Sequence, residues 1–452
     1  MIKQPETVVY GERVLKVEPF SVERVPDRER HGNAFGQFTL WLGSNLTIAD
    51  YALGFIPVSL GMSWTWAIIS IIIGNLLGAV VLALCAAMGP AYGLPQLIIT
   101  RGMFGRVGGY IPGLLNFIST IGWFTVNNIL GSFGLHAMFP GLPVAAASVI
   151  LVAVQGVVAT LGHNFIHAYE RAMSVILGIV FAIVTVLSLG HWSALAGYHA
   201  STNHVGLAVM VMVGATFSYL GSWGPYASDY SRYLQASVSK VKVGFLAAIG
   251  AFIASAWLEI VGMFVAVLAA GHSTNSIDAL HDTMGGFGTI ATIAIILGGT
   301  AADAINLYSN SLSARALDIR IPRWALVIVA SLIGLVLSLV GQGQFESNFE
   351  NFLLLIGYWI TPWMGVLFAD FYIRGKSRDK IIEEKSIQSV GLLSFVIGIA
   401  VSVPFMDNAI YVGPIAKAWS GLDLAFYVGF AVSFVLYLVL KRTDNTRIRR
   451  AA

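Results

Sequence analysis

The chain has 452 residues, of which 57% are hydrophobic and only 11% charged, with a mean hydropathy of +0.77 and a formal net charge of +3. A soluble domain carries roughly 25% charged residues, so this composition belongs to an integral membrane protein rather than a soluble or disordered one. The small net charge, with no basic patch among exposed aromatics, argues against nucleic acid as a partner, and the single cysteine, Cys85, excludes an internal disulfide and a thiolate metal site.

The first thirty residues mix acids and bases around no apolar core, so no cleavable signal peptide is expected and the first span directs insertion. At about twenty apolar residues per span, the sequence predicts an all-α membrane protein of twelve transmembrane helices. They cover residues 35–58, 64–88, 108–136, 143–162, 169–190, 205–227, 241–270, 287–313, 323–341, 350–373, 390–405 and 422–440. With the N-terminus inside, 25 of the 26 Lys and Arg residues fall on the inner side and only Lys417 falls outside. This positive-inside asymmetry predicts an even number of spans and two cytoplasmic termini, in a multi-pass protein of the cell membrane. The basic tail from Lys441 favours anionic inner-leaflet lipid.

The first span contains Leu42-Gly43-Ser44-Asn45 and then Ala49-Asp50-Tyr51; the sixth contains Leu220-Gly221-Ser222-Trp223 and then Ser228-Asp229-Tyr230. This echo places the heads of two five-helix halves, spans 1–5 and 6–10, in opposite orientations. Inverted repeats of this kind put their broken first helices at the membrane midplane. Gly43-Ser44-Asn45 and Gly221-Ser222-Trp223-Gly224-Pro225 are the expected breaks, because glycine tolerates unwound backbone and Pro225 lacks a donor. The expected organisation is a cytoplasmic N-terminal tail (1–31), a first repeat (32–200), a second repeat (201–375), two peripheral helices (376–440) and a basic cytoplasmic tail (441–452). Within span two, Gly74 and Gly78 predict a close helix contact.

Two polar stripes interrupt otherwise oily rods. In span three, Asn116, Ser119, Thr120, Trp123, Asn127, Gly131 and Gly134 recur every three or four residues; in span eight, Thr300, Asp303, Asn306, Asn310 and Ser313 do the same. Such stripes belong on a shared cavity or at a helix–helix contact, not on lipid. On the cavity reading, Trp123 and Trp223 are flat walls for a planar ligand, and Asn127 and Asn306 supply carboxamides that both donate and accept. That set suits a neutral heterocycle with adjacent ring N–H and carbonyl groups. Asn116, Asn128 and Asn310 read better as helix glue. Carboxylates at membrane depth are costly enough to be functional candidates, and Asp303 comes before Glu259 as a proton carrier, with Asp50 nearer the outer end of span one. Sodium needs several oxygens; Thr300 offers one hydroxyl and Ala301 none. His163 and His167 have metal-pair spacing but no acidic companion, and are expected at the interface. Asp229 and Arg232 form a possible gate pair at the inner end of span six.

At Trp41-Leu42-Gly43-Ser44-Asn45-Leu46, Gly122-Trp123-Phe124-x-x-Asn127, Ser222-Trp223-Gly224-Pro225-Tyr226-Ala227-Ser228-Asp229-Tyr230 and Asn306-Leu307-Tyr308-Ser309, the chain resembles the nucleobase–cation symporter family, in its purine–cytosine permease branch. The resemblance covers roughly residues 20–440. It implies a LeuT-type five-plus-five inverted repeat with two extra C-terminal helices, importing nucleobases or related heterocycles on a proton or sodium gradient. Carried over, it implies that Trp123 stacks on the base and Asn127 bonds its edge. Trp223 and Ser222 would contact it from span six, Asn306 from span eight and Ser44 from the broken first helix. Other branches place the span-six aromatic near Leu220. Sodium-coupled members tend to have two adjacent hydroxyl residues in span eight, where this chain reads Thr300-Ala301, so proton coupling through Asp303 is expected.

The expected function is therefore secondary active import of a cytosine- or purine-like base by alternating access. The alternative is the same mechanism with hydantoin, allantoin, or a thiamine- or pyridoxine-like vitamin, possibly sodium-coupled. No paired metal ligands, activated nucleophile or nucleotide loop points to an enzyme. No cofactor, no metal and no obligate protein partner are implied beyond the heterocyclic substrate, the coupling cation and the bilayer.

Overall fold

The computed structural model describes residues 10–16, 18–159, 162–269, 275–374 and 386–451; these are helical apart from loops and one isolated bridge between Asp407 and Val412. The first predicted span divides into α1 (Phe35–Asn45) and α2 (Ile48–Leu53), with a short α3 (Ile56–Ser59) after them. The helix stops at Leu46 and restarts where the Thr47 side chain caps the Asp50 N–H. The break thus falls just after the expected Gly43-Ser44-Asn45, because the capping threonine, not the glycine, sets it. Next come α4 (Trp64–Ala86) and α5 (Met88–Tyr92), α6 (Gln96–Phe104), α7 (Tyr110–Met138), α8 (Val144–Ala159), α9 (His163–Gly190) and α10 (Trp192–Ala196).

The sixth predicted span also breaks. α11 (Val205–Gly221) ends at Ser222-Trp223, a 3-10 turn over Gly224–Tyr226 carries Pro225 in its first turn, and α12 (Ala227–Ser231) resumes. The remaining elements are α13 (Lys240–Leu268), α14 (Ser276–Thr283), α15 (Gly288–Ala316), α16 (Arg323–Gly341), α17 (Phe345–Phe368), α18 (Ser389–Ser402), α19 (Pro414–Ala418) and α20 (Ala425–Ala451). α14, unforeseen in the sequence, starts on the Asn275 side chain, which accepts the N–H groups of Ile277 and Asp278. Among the described residues, eight helical stretches are long and apolar enough to cross a membrane. α7, with its polar stripe, is not among them.

α7 packs along α15, α1 lies between α9 and α13, and α4 lies against α11 and α13, while α17 packs with α18 and α20 and also touches α11 and α7. The α4–α11 contact is as close as Gly74 and Gly78 predict. A Cβ on Gly74 would stand 1.8 Å from the Thr216 hydroxyl, and one on Gly78 2.7 Å from Leu220 Cβ. The opposite face of α4 exposes Ile72, Ile73, Leu76, Leu77 and Val80, as a lipid-facing helix does.

The N-terminal segment is not a free tail. Tyr10, Glu18, Val25, Glu29 and Arg30 are buried against the end of the bundle. The Arg30 guanidinium donates to the Pro90 and Val25 carbonyls, and the Glu29 carboxylate accepts the Tyr10 and Gly11 N–H groups. Arg232 is not the partner of Asp229. It bonds Glu18 at 2.6 Å, with Arg323 at 3.3 Å from the other Glu18 oxygen and the Tyr308 hydroxyl donating at 3.0 Å. Asp229 instead accepts from the Gln96 N–H and the Ser309 hydroxyl. His163 and His167 are likewise no metal pair: both turn Nε2 to the Tyr230 carbonyl, at 3.3 and 3.1 Å, and His163 is buried rather than interfacial.

Candidate functional site

The polar stripes of α7 and α15 face each other, and over most of their length they close directly. Asn116 donates to the Ser313 hydroxyl at 2.9 Å, and Asn310 donates to Thr120 Oγ1 and to the Phe117 carbonyl, both at 2.9 Å. Asn128 belongs to a second contact, donating to the Ser148 carbonyl on α8. Through their amide N–H groups these three asparagines tie helices together, as expected of helix glue, while Asn116 Oδ1 and Asn310 Oδ1 have no partner.

A hollow lies where the second helix break meets the two stripes. Trp123 and Asn127 of α7, Tyr219 of α11, Ser222 and Trp223 of the second break, and Ala302 and Asn306 of α15 line it. Its volume is ≈ 10 Å³, at the lower limit of about 10–15 Å³ for holding one water.

The polar atoms around it are unevenly used. Asn127 donates its Nδ2–H to Asp303 Oδ1 at 2.9 Å, which fixes the amide, and its Oδ1 is left without a partner. The Trp123 indole N–H is also unpartnered. One free acceptor and one free donor therefore stand on one turn of one helix, both on buried side chains. Trp223 differs: its indole N–H donates to Asn45 Oδ1 at 2.9 Å, tying the second break to the end of α1. Asn306 accepts from the Tyr226 hydroxyl at 3.3 Å and donates to Asp303 at 3.5 Å. Asp303 thus takes two amide donors on Oδ1, while Oδ2 has no partner. The walls are apolar and edge-on: the Trp123 ring meets Tyr219 and Phe352, each at 5.1 Å between centroids.

Of the residues expected at the site, Trp123, Asn127, Trp223, Asn306 and Ser222 share the hollow, and Asp303 stands behind Asn127. Three do not reach it. Ser44 spends its hydroxyl on the Leu40 carbonyl and Thr300 on that of Ile296, each one turn back on its own helix, and Ser222 does the same with Tyr219 although it lines the wall. This back-bonding is what a hydroxyl does in a water-poor helix environment. Glu259 lies in a separate cluster, taking Asn75 Nδ2–H at 2.7 Å beside Asp50, whose Oδ2 accepts from Ser255. Tyr219 is the residue not singled out from the sequence; its hydroxyl bonds Thr47 at the first break. Its signal was present, as the aromatic next to Leu220 in span six.

Residues 24–429 match the family described as permeases for cytosine/purines, uracil, thiamine and allantoin. Among curated proteins, the chain is 30% identical to YxlA of Bacillus subtilis over 450 residues, covering 95% of this chain and 96% of that one. It is 28% identical to the purine-cytosine permease fcyB of Emericella nidulans over 476 residues, covering 96% and 92%. Among solved structures it resembles Mhp1, a nucleobase-cation-symport-1 family transporter in a closed conformation with bromovinylhydantoin bound, with a TM-score of 0.75, 19% identity, and coverage of 94% and 95%. That likeness gives the chain the LeuT-like fold.

Proposed function

We propose, from the premise that this chain belongs to the family of permeases for cytosine/purines, uracil, thiamine and allantoin, that it is a secondary active importer of a nucleobase. The reading is of a transporter and not an enzyme, a multi-pass membrane protein with twelve spans, ten of them in two inverted five-helix halves. Both termini are cytoplasmic and the membrane is the cell membrane. The halves rock about the two breaks, exposing the hollow first to one side and then to the other.

One observation carries the substrate reading. Asn127, held by Asp303, leaves an acceptor free beside the free indole donor of Trp123, in a hollow walled by aromatic rings. A base with a ring N–H next to a carbonyl or ring nitrogen satisfies both and stacks between the walls. A carboxylate substrate would require a cation, and no Lys or Arg lines the hollow. Hence Trp123 stacks, Asn127 reads the edge, and Trp223 and Asn306 close the site from the other half.

For coupling, the reading favours a proton carried by Asp303. The Thr300-Ala301 pair offers a single hydroxyl oxygen, so sodium would have few oxygens there. A second reading keeps the mechanism and exchanges the cargo for hydantoin, allantoin or a thiamine-like vitamin. The family's own description spans thiamine and allantoin, and the Mhp1 neighbour holds a hydantoin. Uptake of labelled cytosine, adenine and uracil into proteoliposomes, with and without sodium and across pH, decides between them. Saturable cytosine or purine uptake that ignores sodium and rises with an inward proton gradient is expected. Uptake of none of the bases, with hydantoin or thiamine taken instead, would overturn the first reading.

A further inference from the structure

Where α9 crosses α1, Gly43 has no side chain to spare. A Cβ there would stand 2.5 Å from both the carbonyl oxygen and Oε2 of Glu170. Glu170 is fully buried, and neither Oε1 nor Oε2 has a hydrogen-bond partner. Among the described residues that pack against α9, none supplies one. The N-terminal segment reaches α9 through Asn164, which bonds His31, Gly11 and Tyr10, and α12 reaches it through the Tyr230 carbonyl, which His163 and His167 face. α1 and α10 carry no titratable side chain. On α13, Glu259 is taken by Asn75, and on α15, Asp303 is taken by Asn127 and Asn306. On α9 itself, Tyr169 directs its hydroxyl to the Leu297 carbonyl, His167 bonds the Tyr230 carbonyl, and Arg171 is exposed.

A carboxylate anion with no donor and no cation, away from water, is strongly disfavoured against the neutral acid. The packed α1–α9 seam therefore accommodates Glu170 as the acid and not as the anion. If α1 swings away, water reaches the carboxyl and the anion becomes hydrated. A ligand that binds one arrangement better than the other must shift the equilibrium between them. The seam is also wired to the hollow: Gly43 lies two residues before Asn45, whose side chain holds the Trp223 indole.

We propose that Glu170 is a proton-binding site of the transport cycle, occupied while α1 lies against α9 and vacated when they part. The inference rests on the reading of the chain as a proton-coupled base importer, and it adds a proton site on a packing seam, apart from the one behind Asn127.

The test is base uptake in proteoliposomes by the wild type, Glu170→Gln and Glu170→Asp, with accumulation under a pH gradient and exchange at equal pH measured on the same vesicles. With one proton on Asp303 and one on Glu170 per base, wild-type accumulation rises up to about a hundredfold per pH unit of gradient. Glu170→Gln, which cannot release a proton, should fall to the single-proton slope of up to about tenfold per pH unit while keeping exchange, and Glu170→Asp, still an acid, should retain the wild-type slope with a shifted midpoint. Equal pH dependence in Glu170→Gln and wild type would overturn the proposal while leaving the importer reading intact. Accumulation driven only by sodium would also overturn it. No base uptake by the wild type would instead sink the importer reading. Should Glu170→Gln fail to insert, infrared spectra of the wild type and Glu170→Asp decide. A protonated-carboxyl band at neutral pH that shifts in Glu170→Asp supports the site; a carboxyl region identical in the two proteins overturns it.

Discussion

Two regions of this molecule solve opposite electrostatic problems. The hollow between the helix breaks is neutral at its face: amides, indoles and a phenol enclose ≈ 10 Å³, and the one carboxylate stands behind Asn127. The end of the bundle under the N-terminal segment is charged. Glu18 is clamped by Arg232 and Arg323, next to a cleft of ≈ 350 Å³ lined by His31, Gln37, His163, His167, Tyr230 and Tyr233. A neutral ring can enter and leave the first region without stripping ions. The second has charges whose pairing is worth most when they are fully enclosed, so it suits a closure that is either made or broken. At the hollow, Asn127 Oδ1 and the Trp123 indole N–H have no partner, whereas around Glu18 both carboxylate oxygens are bonded by the protein itself.

The contrast predicts where substitutions hurt stability and where they hurt recognition. The largest stability effect is expected from Arg232→Ala, which strands Glu18 among buried groups at a cost of about 3–5 kcal/mol. Thermal unfolding in detergent and protease access to the N-terminal segment would both register it, and adding Glu18→Gln should recover most of the loss. A single variant as stable as wild type would show that the clamp holds nothing. In the hollow, Trp123→Ala should leave unfolding much less affected yet abolish high-affinity uptake, since stacking on a base is worth about 1–3 kcal/mol. Unchanged affinity would remove Trp123 from recognition.

A subtler effect is expected at Asn127→Ala. Losing the edge contact costs about 1–3 kcal/mol for bases that used it, so the ranking of competing bases should change more than the rate of the best one. An unaltered ranking in competition assays would deny Asn127 the selectivity role. The smallest effect lies outside both regions. Asp318, in the turn after α15, accepts from Arg106 at 2.8 Å and Arg101 at 3.2 Å, and also from the Tyr110 hydroxyl. The Arg106 contact, helped by Tyr110 and Arg101, holds its carboxyl down to about 2 from the ordinary 3.8. A lowered folded-state value stabilises above the unfolded value and is lost as pH falls through the folded one. The network should therefore contribute fully above about pH 4 and fade towards pH 2. Partial exposure limits it to about 1 kcal/mol or less. Unfolding of Asp318→Asn should differ from wild type at pH 7 and converge with it only as pH falls to about 2; an undiminished difference there would point to another cause.

Much of the site was legible because a helix repeats every 3.6 residues. Trp123, Asn127 and Asn306 fell on inward stripes by spacing alone, and Pro225 with its glycines marked the second break. The first break was displaced because a cap decided it: Thr47 restarts the helix, and Gly43 serves a crossing instead. For Ser44 and Thr300 the sequence reports a hydroxyl but not that its proton goes to the preceding turn, away from the hollow. Glu18 was not legible at all, because nothing local tells a residue in a polar segment that its partner is Arg232, over two hundred positions away.

The chain by itself determined that it lives in a membrane, roughly where it is helical, and which faces of α7 and α15 are polar, since these follow from transfer energies and local periodicity. Only the tertiary arrangement decided which polar atoms were left over. The amide N–H groups of Asn116 and Asn310 were consumed between helices, that of Asn127 was held by Asp303 with its oxygen left free on a residue lining the hollow, and Glu170 was left with no partner. A hydrogen bond needs a particular atom within about 3 Å, and that is settled by how distant helices cross, not by the residues either side.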